Sequence, residues 1–512
     1  MGRGTPLEQI EEDVKALRRS FESGKTKSMQ ERKKVLQQIR TMIVEGEAEL
    51  TAALQLDMHK PPFEAFLTEL GMILADIQTH LDYIDEWTTP KSTWTSIACL
   101  PGRSFTVMEP YGVACIFGTW NYPVYVTILP LIGAISAGNT ALIRLAADGS
   151  VDETNAVLAK LLDKYVDKDF VRYAKGGLDV SKKVLALKYD VIFCTGGQVI
   201  GKAVARAAAE NLTPIILELG GKTPTIVDKT ANIEVAARRI AWGAFINCGQ
   251  TCVRPDHVYV SSKIGDAFVE ALKNAIISMF TETPETSDDY ARVANNQQLF
   301  KMKAMIEKEK SFVFHGGQSN VTSRFVAPTL FNYKNDLKAF EESAAMQDEI
   351  FGPLLPIVYF DDDINSVVAA INRRPKPLSL YVFSTNEATI DLCLNSTSSG
   401  SVCINDCVMQ MGNHHLPFGG VGNSGLGSYH GKHSFNAFSH EKAVLRKYYW
   451  LDLPQRYMPY TDQNKKILRL ATTPIARVHV RRAFTLFAVL ALAWLLRRPK
   501  VYECLVVLLG KK

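Results

Sequence analysis

The sequence predicts an α/β protein built on mostly parallel sheets with helices on both faces. Short apolar runs, glycine-containing turns and helix-patterned stretches recur in that order along the chain. Two such units, residues 113–146 and 190–221, each run strand, turn, helix, strand, with no glycine- or serine-rich linker between them. At 512 residues, 47% hydrophobic and 22% charged, the chain can bury large cores and divide into two or more domains.

The opening, MGRGTPLEQIEEDVKALRRSF, is polar and then helix-patterned. Gly2 invites myristoylation, but Pro6 stands where that signal needs Ser or Thr, so an unmodified helical start is expected. VACIFGTWNYP leaves a β-rich stretch (113–117) for a loop, TILPLIGAISAGN reads as a helix closing at Gly138-Asn139, and TALIRLA returns as a strand. DVIFCTGG is a strand entering a glycine turn, GKAVARAAAENL an alanine-rich helix, and PIILELGG a second buried strand. ANIEVAARRIAWGAF (231–245) keeps small and apolar residues on one helical face and stops at the turn Asn247-Cys248-Gly249. No internal repeat or low-complexity segment interrupts this alternation.

Nine cysteines, an odd number, with no apolar N-terminal segment predict a reducing compartment and no disulfide framework. The formal charge of +5 is uneven: residues 463–512 hold eleven Lys or Arg against one acid, Glu503, so the preceding body is mildly acidic. Those basic residues bracket an apolar run, AFTLFAVLALAWLL (483–496), a pattern that favours a membrane over nucleic acid. Fourteen residues make a helix of about 21 Å, short of the ~30 Å hydrocarbon core. A snorkelling short span, or a hairpin through Pro499 into VYECLVVLLG (501–510), is therefore expected.

Chemistry concentrates at three places. In FINCGQTCVRPD, Cys252 follows a helix in a loop where a thiol can be reached, whereas Cys248 lies nearer the helix end and is expected to pack. A zinc site with Cys403 and Cys407 is the competing reading, but SVCINDCVM reads as a strand with little room for a knuckle, so no metal is expected. Glu218 sits in the apolar strand PIILEL; it is either a strand-end carboxylate rescued by water or Lys222, or a general base with a raised pKa. Asn121, held between Trp120 and Pro123, can close an Asx-turn or donate its amide to an oxyanion.

WNYP (120–123), LELGGK (217–222), GQTC (249–252), EIFGP (349–353) and LPFGGVGNSGLGSYHGKHSF (416–435) together resemble the aldehyde dehydrogenase superfamily. The resemblance runs from about residue 8 to about 448 and, with LDMHKPP (56–62), is closest to the class 3 branch that includes fatty aldehyde dehydrogenases. It implies Cys252 as nucleophile, Asn121 with the Cys252 N–H as oxyanion donors, and Glu218 as the base for thioester hydrolysis. It implies NAD or NADP as cofactor, with Thr195, Gly196 and Gly197 at a strand-to-helix turn, Gly201 opening the helix, and Glu349 and Phe351 at the nicotinamide ribose. The family's Lys-Pro-Ser-Glu reads Arg144-Leu145-Ala146-Ala147 here; Arg144 keeps a planar cation, and the lost acid at 147 removes a repulsion against a 2′-phosphate, with Asp148 able to restore it.

The implied architecture is a Rossmann-like NAD(P)-binding domain (1–87 and 110–219), an α/β catalytic domain (220–437), a β arm that pairs subunits (88–109 and 438–450) and a membrane-anchoring tail (463–512). SFTVMEP (104–110) and EKAVLRKYY (441–449) are the expected arm strands. The implied function is oxidation of medium- or long-chain fatty aldehydes by a homodimer, held on the endoplasmic reticulum or another organelle membrane with its body in the cytosol. The alternatives are a CoA-acylating dehydrogenase, which retention of Glu218 disfavours, and a membrane-bound scaffold that has lost catalysis.

Overall fold

The computed structural model describes residues 4–146, 149–473 and 477–496. The chain forms two compact units, one of Met1–Thr89 with Met108–Lys442, the other of Pro90–Val107 with the chain from Ala443 onward.

The first unit holds two large sheets. The six-stranded one runs, edge to edge, Gly425–Leu426, Ile215–Leu219, Val191–Gly196, Val113–Phe117, Thr140–Arg144 and Val171–Ala174. Five strands are parallel, and Gly425–Leu426 adds an antiparallel edge. Successive side chains take opposite faces: Ala114, Ile116, Ile143 and Phe193 enter one core, Val113, Cys115, Leu142 and Ile192 the other. Covering on both faces is why these strands read as unbroken apolar runs. From Val113–Phe117 the chain builds outward through Thr140–Arg144 to Val171–Ala174, then returns to lay Val191–Gly196 on the opposite side. The carboxyl ends of Val113–Phe117 and Val191–Gly196 thus flank the crevice where such sheets bind ligands.

The expected helices and strands of this sheet form. Tyr125–Ala137 is buried at every residue and stops at Gly138, whose φ of 96° is the left-handed conformation that ends helices. Gln198–Ala209 follows the Gly196-Gly197 turn.

The second sheet runs Val313–His315, Thr329–Asn332, Leu354–Phe360, His257–Ser261, Pro224–Val227, Ser379–Phe383 and Ser401–Ile404, parallel except at the first pair. The strand expected across Cys403 and Cys407 ends at Ile404. Asn405 and Val408, with φ of 59° and 66°, turn the chain there and drop Cys407 into the sheet's core.

Most of a three-stranded sheet belongs to the second unit, in the order Lys91–Thr93, Gly102–Pro110, Ser439–Lys447. The two longer strands cover 104–110 and most of 441–449, the two stretches expected to be strands; Lys91–Thr93, too short to carry a pattern, is an addition. Helices Asp462–Thr472 and Arg477–Leu496 follow. The terminal helix begins six residues before the apolar run and so includes Arg477, Arg481 and Arg482 in its first third. Among the described residues, no helix is long and apolar enough to cross a membrane. The segment 501–510, expected to re-enter as half of a hairpin, lies outside them.

Candidate active site

A cavity of about 300 Å³ opens at the crevice between the two central strands, and eight of the ten predicted site residues line it: Asn121, Thr195, Gly196, Gly197, Glu218, Cys252, Glu349 and Phe351.

The route to Cys252 begins with the helix Ile233–Phe245, where Asn232 caps the start by accepting from the Val235 N–H at 3.1 Å. The next turn is strained: Asn247 and Cys248 have φ of 53° and 51°. This reversal sends Cys248 into the core, its sulfur 3.5 Å from the Tyr290 hydroxyl, and leaves Thr251 and Cys252 on the cavity wall. Hydrogen bonds lock the turn. Glu64 accepts from the Asn247 N–H at 3.0 Å, and the Asn247 amide donates to the carbonyl oxygens of Asn121 (2.8 Å) and Gln250 (3.2 Å). The Asn121 amide donates to the same Gln250 carbonyl at 3.2 Å, which ties it to the thiol's own turn. Burial, then the nearby Glu349 and Glu218 carboxyls, push the Cys252 thiol pKa up, while backbone N–H groups of Cys252 and Val253 pull against the rise.

Glu218 stands opposite Gly425 in the antiparallel pairing at its strand's end. It is 3% exposed, neither oxygen has a hydrogen-bond partner, and burial raises its pKa well above the carboxylate range. Lys222, the cation that could have neutralised it, is turned away: it pairs with Asp256 and donates to the carbonyl oxygens of Ala345 (2.7 Å) and Asp348 (3.0 Å).

The opposite wall suits a dinucleotide. Gly197 precedes Gln198–Ala209 without a side-chain cap, and a Cβ there would meet nothing within 4 Å, so there is room for a ligand beside the helix start. The Thr195 hydroxyl is buried without a partner. The Glu349 carboxyl is pushed up to about 8 by burial and then by Asp256. Phe351 meets Trp120 edge to face, with ring centroids 5.4 Å apart.

The aldehyde dehydrogenase family model matches residues 4–444. The chain belongs to the aldehyde dehydrogenase family. It is 39% identical over 439 residues to the dimeric NADP-preferring aldehyde dehydrogenase of Canis lupus familiaris, covering 86% of this chain and 95% of the relative. Aldehyde dehydrogenase family 3 member A2 of Pongo abelii is 37% identical over 438 residues, covering 86% and 88%. The substrate-bound structure of Staphylococcus aureus AldH superposes with a TM-score of 0.86 at 36% identity, over 91% of this chain and 99% of that one. As an aldehyde dehydrogenase the protein is an oxidoreductase that uses NAD or NADP, and the uncapped helix start, the free Thr195 hydroxyl and the buried Glu349 fit that cofactor.

Two predicted cofactor residues of this aldehyde dehydrogenase lie elsewhere. Gly201 does not open the helix; it is one turn in, buried, and a Cβ there would stand 2.7 Å from Leu219, so its part is to let helix and strand approach. Arg144 is 1% exposed, and its guanidinium is spent on the Ser181 hydroxyl (3.2 Å) and the carbonyl oxygens of Leu145, Gly176 (2.5 Å) and Gly177 (3.0 Å). A cation so placed braces two strand ends and is not a clamp for a 2′-phosphate. Ala147 and Asp148 lie outside the described residues.

Sequence reasoning missed Tyr125, Gln298, Lys301, Met411, Phe418 and Tyr429 on the same wall. Phe418 and Tyr429 fall within the glycine-rich motif at 416–435 and could have been singled out there. Lys301, which donates to the Glu349 carbonyl at 2.9 Å, comes from the ordinary amphipathic helix Asn296–Lys308, and no local signal marks it.

Proposed function

We propose that this aldehyde dehydrogenase converts medium- and long-chain fatty aldehydes to carboxylic acids, with Cys252 as nucleophile, Asn121 as oxyanion donor and Glu218 as base. The supporting observation is a second, apolar cavity of about 110 Å³. It shares Tyr122, Tyr125, Thr251 and Met411 with the catalytic one and is otherwise walled mainly by Leu67, Met72, Trp242, Ile246, Val408 and Met409. Each buried methylene of an alkyl chain contributes about 0.8 kcal/mol, close to a fourfold gain in binding. Across a series of straight-chain aldehydes kcat/KM should therefore climb steeply before levelling. A profile flat from two to twelve carbons removes the fatty-aldehyde assignment.

Cys252 attacks as the thiolate, and the oxyanion that forms accepts hydrogen bonds from the Asn121 amide and the Cys252 N–H. A nicotinamide cofactor, which Thr195, Gly196, Gly197, Glu349 and Phe351 on the cavity wall would hold, would supply the hydride acceptor that oxidation of the thiohemiacetal needs. Glu218 then accepts a proton from the water that hydrolyses the Cys252 thioester, releasing the acid and restoring the Cys252 thiolate. An unpaired carboxyl in the cavity supports water, and not coenzyme A, as acyl acceptor. The convergence of Cys252, Asn121 and Glu218 supports catalysis over a scaffold role.

The name of the canine relative supports a dimer here, with the arm strand Ser439–Lys447 as the paired element. We further assign the tail to a membrane surface, with the catalytic body in the cytosol. Phe484, Leu486, Phe487, Val489 and Leu490 are all exposed on a helix whose first turns carry arginines. Truncation after Asn464 should move active enzyme from sedimenting membranes to the supernatant. Full-length protein that is already soluble without detergent overturns the assignment.

A further inference from the structure

The stretch LDMHKPP, at 56–62, has no part in the reaction as written, yet one of its side chains reaches the active site. Lys60 is fully buried, and its ammonium pairs at 2.5 Å with the equally buried Glu69 carboxylate. Asp57, in the same stretch, serves the frame: it holds the start of the helix Asp152–Tyr165 by accepting from the Thr154 N–H at 2.8 Å and the Thr154 hydroxyl at 2.7 Å.

Both members of the buried pair end on the loop that carries Asn121. That loop joins the strand Val113–Phe117 to the helix Tyr125–Ala137. The second Glu69 oxygen accepts from the N–H groups of Val124 (2.9 Å) and Tyr125 (3.2 Å), where the helix begins without a side-chain cap of its own. A carboxylate there satisfies orphan donors and faces the positive end of the helix dipole. Lys60 donates to the Asn121 carbonyl at 3.4 Å, and its ammonium stands 4.3 Å from the centre of the Tyr122 ring. The Tyr122 hydroxyl in turn lies 2.6 Å from the hydroxyl of Thr251, the neighbour of the thiol. Asn121, Tyr122, Val124 and Tyr125 are thus each held by Lys60 or Glu69.

The backbone is shaped to bring the carboxylate there. The chain is helical through Pro62–Ala65 and Gly71–Thr88, but between them Phe66–Leu70 form a widened turn with hydrogen bonds from i to i+5. On an ordinary helix, acids five positions apart point about 140° away from each other. The widened turn brings Glu64 and Glu69 towards one face. Glu64 accepts from the Asn247 N–H at 3.0 Å, so one helical segment grips the thiol's turn and the oxyanion loop together. A buried ion pair is a weak source of stability, because two apolar side chains of similar volume serve as well, so stability alone does not account for it.

We propose that Lys60 and Glu69 are positioning residues for the reaction: together they set the 121–125 backbone so that the Asn121 amide meets the oxyanion formed at Cys252. This positioning rests on the role given above to Asn121. One of its two amide N–H groups donates to the Gln250 carbonyl at 3.2 Å, which leaves the other for the oxyanion. Such a donor stabilises only charge at which it is aimed, and a misplacement of about 1 Å costs up to about a hundredfold in rate.

The test uses full-length enzyme and measures kcat/KM for a straight-chain aldehyde, the KM for NAD, and the rate at which iodoacetamide alkylates Cys252, located by mass spectrometry. Alkylation needs the thiolate but builds no oxyanion, so it reports on the thiol's turn alone. Lys60→Met combined with Glu69→Met replaces the pair by apolar chains of similar volume. Glu69→Asp keeps the charge, withdraws the carboxylate by one methylene, and serves where the double variant does not fold. Both should lose about tenfold or more in kcat/KM, with alkylation and the KM for NAD within about twofold of wild type. In an Asn121→Ala background the same changes should cost less than about twofold more, because the residue they act through is gone. Wild-type kcat/KM in these variants overturns the positioning, as does a full tenfold loss on top of Asn121→Ala, or alkylation slowed in step with turnover. An Asn121→Ala enzyme as active as wild type overturns instead the oxyanion role on which the positioning depends.

Discussion

Gly220 lies directly against the carboxylate of Glu349, so that any Cβ at position 220 would occupy the space of the Glu349 oxygens. The glycine follows the strand that carries Glu218, and Glu349 precedes the strand Leu354–Phe360 of the other sheet. The contact is therefore where the two sheets meet around the cavity, and the missing side chain is what lets a buried carboxyl stand there.

Gly220→Ala should accordingly displace Glu349 while leaving the thiol in place. The expected outcome is a rise of tenfold or more in the KM for NAD, with a smaller change in the KM for aldehyde. Steady-state titration of both substrates checks it; equal changes in the two constants would mean that the displacement reaches Cys252 as well.

Cys252→Ala should abolish aldehyde oxidation and leave the thermal transition nearly unchanged, because the side chain is half-buried on a cavity wall. Cys248→Ala should do the reverse. It removes a fully buried sulfur packed at Tyr290, costing about 1–2 kcal/mol, while activity persists. Denaturant melts alongside an absorbance assay of cofactor reduction separate the two. An active 252 variant beside a dead 248 variant would reverse the assignment.

Glu218→Gln should give one rapid burst of cofactor reduction followed by turnover slowed at least a hundredfold, since attack survives and hydrolysis fails. It should also change the pH dependence of stability. Burial raises the Glu218 pKa in the folded state, so above the ordinary carboxyl range the native protein keeps a proton that the unfolded chain has lost. Stability therefore falls as pH rises through that window. The Gln variant, free of this penalty, should be more stable than wild type at pH 8, with the advantage shrinking towards pH 5. Denaturant midpoints at the two pH values check the sign.

With Arg144 turned to backbone carbonyls, Arg144→Ala should cost about 3 kcal/mol or more in stability and leave the NADP-to-NAD ratio of kcat/KM within about twofold of wild type. A tenfold shift would place the guanidinium at the cofactor. Measurable use of NADP is still expected, because the acid the family carries at position 147 is Ala in this chain.

The α/β class, the order of strands and helices around residues 113–219, and the three groups that converge on the cavity are legible in the chain without its structure. Those features are written locally. Apolar runs of strand length, the glycine that ends Tyr125–Ala137, and an acid inside an apolar strand each declare themselves within a few residues. Where polar atoms find partners across the chain is not written locally. Arg144 read as an available cation until Gly176 and Gly177 were brought to its guanidinium. Lys222 stood beside water as one of two groups to rescue Glu218 as a plain strand-end carboxylate, and Asp256 takes it. Gly201 read as a ligand cradle until Leu219 lay across it. Tyr125 and His430, 305 positions apart, meet in one hydrogen bond that neither local pattern announces. A side chain's type is fixed by its codon, but its protonation, its partner and its access to a cavity are set by packing between segments far apart in sequence, and these decide whether it does chemistry or holds the frame.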